Sequence, residues 1–197
     1  MESDPGSDSE MAGLSARLFT LSNGLTGLRL VSAPFFFCAV ASELWPFAFA
    51  LFWLAVTSDL LDGRLARARG ETSALGGLLD HASDAIFVSF GQSALAAESR
   101  APEFLPLLIL AAFVQYVLDS KVMVGRALRA SHLGRWNGIL YFVAPGVVVT
   151  REVFGFALPS DGLILLFGWG LVLSTLVSML DRLIALASRR RGDLTPR

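Results

Sequence analysis

Long apolar runs broken by short polar turns divide the chain. Spans are expected at about 23–42, 45–68, 75–97, 104–126, 136–153 and 161–187. Each is close to the roughly 17–25 residues that cross hydrocarbon as a helix, the fifth lying at the short limit. Ahead of them, residues 14–22 (LSARLFTLS) place Leu14, Leu18 and Leu21 on one helical face, the pattern of a short helix lying at a membrane surface. Pro34 and Pro145 fall within spans and are expected to kink them. The pattern predicts an all-α fold: a polytopic membrane protein with six transmembrane helices and a short N-terminal interfacial helix.

Composition agrees. The chain has 197 residues, a length suited to one domain, and is 54% hydrophobic against 17% charged, which is membrane-like rather than soluble. We expect a tail at 1–13, a membrane domain at 14–188 and a basic tail at 189–197, both tails disordered. The opening MESDPGSDSEMAG is acidic, whereas a secretory signal begins with positive charge. A net charge of −1 gives no global electrostatic case for nucleic acid, so no such partner is expected. The single cysteine, Cys38, sits in an apolar run and reads as a buried thiol.

The distribution of charge says more than its sum. With six spans, 14 of the 16 Lys and Arg residues fall on the side of both termini, leaving Arg100 and Arg151 opposite. The positive-inside rule then puts the termini on the cytoplasmic side of the inner membrane.

Between the second and third spans lies DLLDGRLARARGETSALGGLLDHASD, residues 59–84. Asp59 and Asp62 are spaced i,i+3, and Asp80 and Asp84 i,i+4, so each pair shares one helical face. Carboxylates near membrane depth cost about 2.5–3.5 kcal/mol each at a helix centre and less at the interface. Four of them in one stretch call for a compensating cation, and hard oxygen ligands suit a divalent metal.

Written with its intervals, the stretch is D-x2-D-G-x2-A-R-x8-G-x3-D-x3-D. This resembles the signature of the CDP-alcohol phosphatidyltransferase family, in particular its phosphatidylglycerophosphate and phosphatidylinositol-phosphate synthase-like members. Every fixed position and interval matches. The resemblance implies an integral membrane enzyme that faces the cytoplasm and acts in phospholipid biosynthesis. Such an enzyme transfers a phosphatidyl group from CDP-diacylglycerol to a small alcohol and releases CMP. It also implies two Mg2+ or Mn2+ ions held by Asp59, Asp62, Asp80 and Asp84, with Asp84 as general base, and a homodimer among membrane lipids.

By the same resemblance, Gly63, Ala66, Arg67 and Gly76 would contact the nucleotide, as would Ser73 in the connecting loop. Upstream, N-x2-T-x2-R-x4-P is matched by Asn23, Thr26, Arg29 and Pro34. Asn23 and Thr26 are nucleotide contacts or helix caps on this reading, and Arg29 approaches the pyrophosphate or snorkels. His81 is expected to be a bystander, about 100° round the helix from Asp80.

A second basic cluster, KVMVGRALRASHLGRW, offers Lys121, Arg126, Arg129 and Arg135 as a pocket for an anionic acceptor. Glycerophosphate-using members of the family usually read G-K-x-K-T here, whereas this chain reads Gly134-Arg135-Trp136-Asn137-Gly138. A polyol phosphate is favoured by the cations, with glycerol 3-phosphate, inositol phosphate and a neutral alcohol all open. Two other readings stand beside the enzyme. A divalent-cation transporter would use the aspartates but leaves Gly63, Ala66 and Arg67 unexplained. A catalytically silent family member would be expected to have lost acidic residues that are all present.

Overall fold

The computed structural model describes residues 21–69, 74–119 and 132–193, with side chains over 26–60, 76–118 and 133–185. The described residues form six helices and no strand: α1 (Leu21–Ala41), α2 (Trp45–Arg69), α3 (Ala74–Ala97), α4 (Leu105–Asp119), α5 (His132–Phe154) and α6 (Asp161–Asp193). The expected all-α class is found. The interfacial helix and the N-terminal tail lie outside the described residues, apart from Leu21 and Ser22, which open α1.

Helix limits fall close to the apolar runs, with two differences. The fifth helix begins at His132 and is 23 residues long, so it is not short. The sixth continues to Asp193, into the stretch expected to be a disordered tail. Pro34 and Pro145 both lie inside continuous helices. By length and composition, one stretch among the described residues, Asp161–Ala185, can cross a membrane; Thr26–Ala41, Trp45–Leu60 and Leu105–Leu118 are apolar but shorter.

Small residues at a helix interface let two backbones approach closely. The core follows that logic. Ala33, Ala39, Ala48, Ala55, Ala94 and Ala144 are buried between helices, and they surround a group of rings. Phe36 stacks on Phe87 at 5.3 Å and Phe87 on Phe142 at 6.1 Å, with Phe52 tilted against all three. At Gly146 an added Cβ would lie 2.7 Å from the Phe52 ring, so only glycine lets α5 approach α2 this closely. Helix α3 runs through the middle, against α1, α4 and α5.

Three helices end alike. Glu43, Ser99 and Gly155 adopt positive φ, and the amide after each donates five residues back: Leu44 to Ala39, Arg100 to Leu95 and Phe156 to Arg151. This is the hydrogen-bonded C-terminal cap in which a left-handed residue reverses the chain. The turns beyond α3 and α5 bring Glu98, Arg100, Arg151, Glu152 and Asp161 into one ion network. It lies at the end of α3 remote from Asp80 and Asp84.

Candidate active site

The i,i+4 spacing does what it promised. Asp80, Ser83 and Asp84 lie on one face of α3 in its first turns, and Asp59 approaches from α2. All three carboxylates converge on Arg29 of α1. Its Nη2 donates to Asp59 Oδ1 at 2.8 Å, and its Nη1 to Asp84 Oδ1 at 2.5 Å, Ser83 Oγ at 3.0 Å and Asp80 Oδ1 at 3.2 Å. The arginine side chain is 1% exposed, whereas the aspartates are 27–40% exposed. The acidic groups therefore keep one side toward solvent while their charge is met from inside the bundle. A buried guanidinium costs several kcal/mol unless it is paired, and here every contact except Ser83 is to a carboxylate.

That position corrects the reading of Arg29. It neither snorkels to the surface nor stands open to a substrate phosphate; it is buried among the aspartates. The contact partners are 30, 51 and 55 residues away in sequence, so no local pattern could reveal them.

The donor set fits a divalent cation. Oxygen ligands from two helices converge, and within α3 the Asp80, His81 and Asp84 side chains offer ligand atoms within 4.8 Å of one another. His81, expected to be a bystander, thus lies in the site's immediate surroundings. Its ring also lies 5.8 Å from that of Tyr116.

Asp59 and Asp84 line a cavity of about 720 Å³ between α2, α3, α4, α5 and α6. Arg135 and Arg182 line it too, together with the polar side chains of Tyr116, Asn137, Tyr141 and Thr175. The Arg182 guanidinium lies over the Tyr116 ring at 5.1 Å. Tyr141 and Thr175 share a hydrogen bond of 2.7 Å, and Ser174 donates to Asn137 Oδ1 at 2.6 Å. The lining of the chamber thus includes both carboxylates and cations.

Of the other expected residues, Arg135 is at the cavity, exposed. Thr26 and Gly76 are half-buried, and Asn23 and Thr26 lie within α1 rather than at a cap. Asp62, Gly63, Ala66 and Arg67 continue α2, but their side chains are outside those described. Ser73, Lys121, Arg126 and Arg129 lie outside the described residues altogether. Arg182 was missed because it reads as one more positive flank; its aromatic partner at Tyr116 comes from another helix.

The described residues thus form a helical bundle in which carboxylates that could hold a metal ion converge beside a cavity lined in part by arginines. The sequence model of the CDP-alcohol phosphatidyltransferase family matches residues 19–180, and the chain belongs to that family. It is 34% identical over 103 residues to the cardiolipin synthase (CMP-forming) of Streptomyces coelicolor, covering 48% of this chain and 47% of that one. It is 34% identical over 77 residues to the CDP-diacylglycerol--glycerol-3-phosphate 3-phosphatidyltransferase of Blochmanniella floridana, covering 36% and 39%. The matched stretch spans less than half the length of either relative. No solved structure matches the chain.

Proposed function

We propose that the protein transfers a phosphatidyl group from CDP-diacylglycerol to the hydroxyl of a small alcohol, a polyol phosphate for preference, and releases CMP. The observation that carries this reading is the cavity whose lining includes both Asp59 and Asp84 and Arg135 and Arg182. A hydroxyl placed at Asp84 gives up its proton to the carboxylate as its oxygen attacks the lipid-side phosphorus. The bond from that phosphorus to the bridging oxygen then breaks, and CMP departs. Arg135 and Arg182 hold the acceptor's phosphate by charge-assisted hydrogen bonds, which fixes the hydroxyl's direction and supplies much of the rate by orientation.

Asp59, Asp62, Asp80 and Asp84 would hold the divalent ions, Mg2+ or Mn2+. Bound there, such ions would supply positive charge to neutralise the pyrophosphate and the departing nucleotide. Gly63, Ala66, Arg67, Ser73 and Gly76, with Asn23 and Thr26, are the proposed nucleotide contacts, and Lys121, Arg126 and Arg129 extend the acceptor's basic surroundings.

The same reading takes all six helices as transmembrane, in an inner membrane, with the aspartates toward the cytoplasm as the Lys and Arg distribution argues. Leu166, Trp169, Leu173 and Leu176 of α6 are exposed and suit lipid or the second subunit of a homodimer. The decisive test is CMP release from CDP-diacylglycerol by the purified protein with Mg2+ and a panel of acceptors. Asp84→Asn is expected to lower the rate by about 10²–10⁴-fold, the usual worth of a positioned base. A near-normal rate in that variant would refute the assignment of Asp84.

A further inference from the structure

The proposed transfer gives Arg29 no role, yet it is among the most buried large side chains in the molecule. It reaches from α1 to both acidic helices. From each of Asp59, Asp80 and Asp84 it takes a single oxygen, Oδ1, leaving the other oxygen of each carboxylate unused by the guanidinium. Ser83 completes the arrangement: its hydroxyl accepts from Arg29 at 3.0 Å and donates to the Asp80 carbonyl at 2.8 Å. Arg29 does not line the cavity that Asp59 and Asp84 open into, so it is badly placed to clamp a substrate phosphate. What the contacts do is fix the rotation of three carboxylates at once, which the rigid fork of a guanidinium suits and an ammonium does not.

We propose that Arg29 is the positioning residue of the metal centre: by holding one oxygen of each of three aspartates, it aims the other toward the divalent ion. It also offsets the mutual repulsion of those carboxylates. Ligating groups are themselves held by outer partners, whose loss typically weakens metal binding by about 10–100-fold. The inference rests on the metal-dependent reading given above. It is opposed by a specific alternative, in which Arg29 competes with the ion for the same oxygens and its removal tightens binding.

The test uses the full chain in detergent, with Mn2+ as probe and free Mn2+ followed by electron paramagnetic resonance. Melting curves with chelator are run alongside to confirm that each variant is folded. Arg29→Gln is expected to bind Mn2+ about 10–100-fold more weakly than wild type. Arg29→Lys keeps the charge but cannot span three carboxylates, and is expected to weaken binding as well. In CMP release, the Mg2+ concentration giving half-maximal rate rises in both variants, while the rate at saturating Mg2+ largely recovers. Should Arg29→Gln fail to fold, Arg29→Lys and the milder Ser83→Ala, which removes one guanidinium contact, decide the matter. Unchanged or tighter Mn2+ binding in the folded variants overturns the proposal while leaving the metal site standing. Absence of Mn2+ binding by the wild type overturns both.

Discussion

Arg151 donates to the Asp161 carboxylate at 2.6 Å, tying the last turn of α5 to the first of α6. The same guanidinium donates to the Pro159 carbonyl at 2.7 Å, inside the turn that joins them. Arg151 is buried and Asp161 exposed, so the two ends of the pair are not equivalent. Removing the arginine strands the Pro159 carbonyl and leaves both carboxylates to Arg100 alone, whereas removing the carboxylate leaves Arg151 with Glu152 and Pro159. Arg151→Met should therefore destabilise the bundle by about 1–3 kcal/mol, the cost of leaving buried polar groups unmet. Asp161→Asn should cost less. Unfolding in detergent checks the order; equal losses would refute the asymmetry.

The outline of the bundle was legible because apolar runs and their polar breaks are local features, and the helices fall close to them. The acidic pairs were legible because helix periodicity alone puts residues three or four apart on one face. Arg29 was not, since its meaning lies in the packing of α1 against α2 and α3. Nor were the turns at Glu43 and Ser99: the expected left-handed residue at such a cap is glycine, as at Gly155, and the other two carry ordinary side chains there. Hydropathy likewise recorded Arg182 only as a charge, because its place beside Tyr116 and the cavity depends on the crossing of α4 and α6.

Two glycines on α6, two residues apart and so on different faces of the helix, should respond in opposite ways to alanine. At Gly168 an added Cβ would lie 2.6 Å from Pro102 Cδ, and the proline ring cannot swing aside; at Gly170 it would meet nothing within 4 Å. Gly168→Ala is expected to destabilise by about 1–3 kcal/mol through overpacking. Gly170→Ala should be neutral or mildly stabilising, since alanine favours helix by up to about 1 kcal/mol over glycine. The comparison is read from melting temperatures in one detergent, and a Gly168→Ala protein as stable as wild type would contradict the close approach of the α3–α4 turn to α6.

Arg182 gives a prediction that separates acceptor binding from chemistry. Its guanidinium is held over Tyr116 at the cavity, and among the described residues Asp59, Asp80 and Asp84 pair with Arg29 instead. Losing a charge-assisted hydrogen bond worth about 1.5–3 kcal/mol should raise KM for a phosphorylated acceptor by roughly 10–100-fold in Arg182→Gln, with kcat changing far less. For a neutral alcohol acceptor the variant should behave like wild type. A fall in kcat at unchanged KM would instead place Arg182 with the reacting groups.

Metal dependence is the remaining prediction, and the carboxylate geometry gives it a direction. Chelation with EDTA should abolish CMP release, and Mg2+ or Mn2+ should restore it, since the ligands are hard oxygens. Asp59 and Asp80 meet Arg29 from different helices, so losing either should weaken the ion's hold without dismantling the other side of the site. Asp59→Asn and Asp80→Asn are therefore both expected to need more Mg2+ for half-maximal rate. The guanidinium keeps its contacts to the remaining carboxylates, so both variants should stay folded. Titrating Mg2+ at fixed CDP-diacylglycerol measures the shift. Activity that survives EDTA, or Mg2+ curves that coincide with wild type in both variants, would remove the ion from the mechanism and leave these aspartates as partners of Arg29 alone.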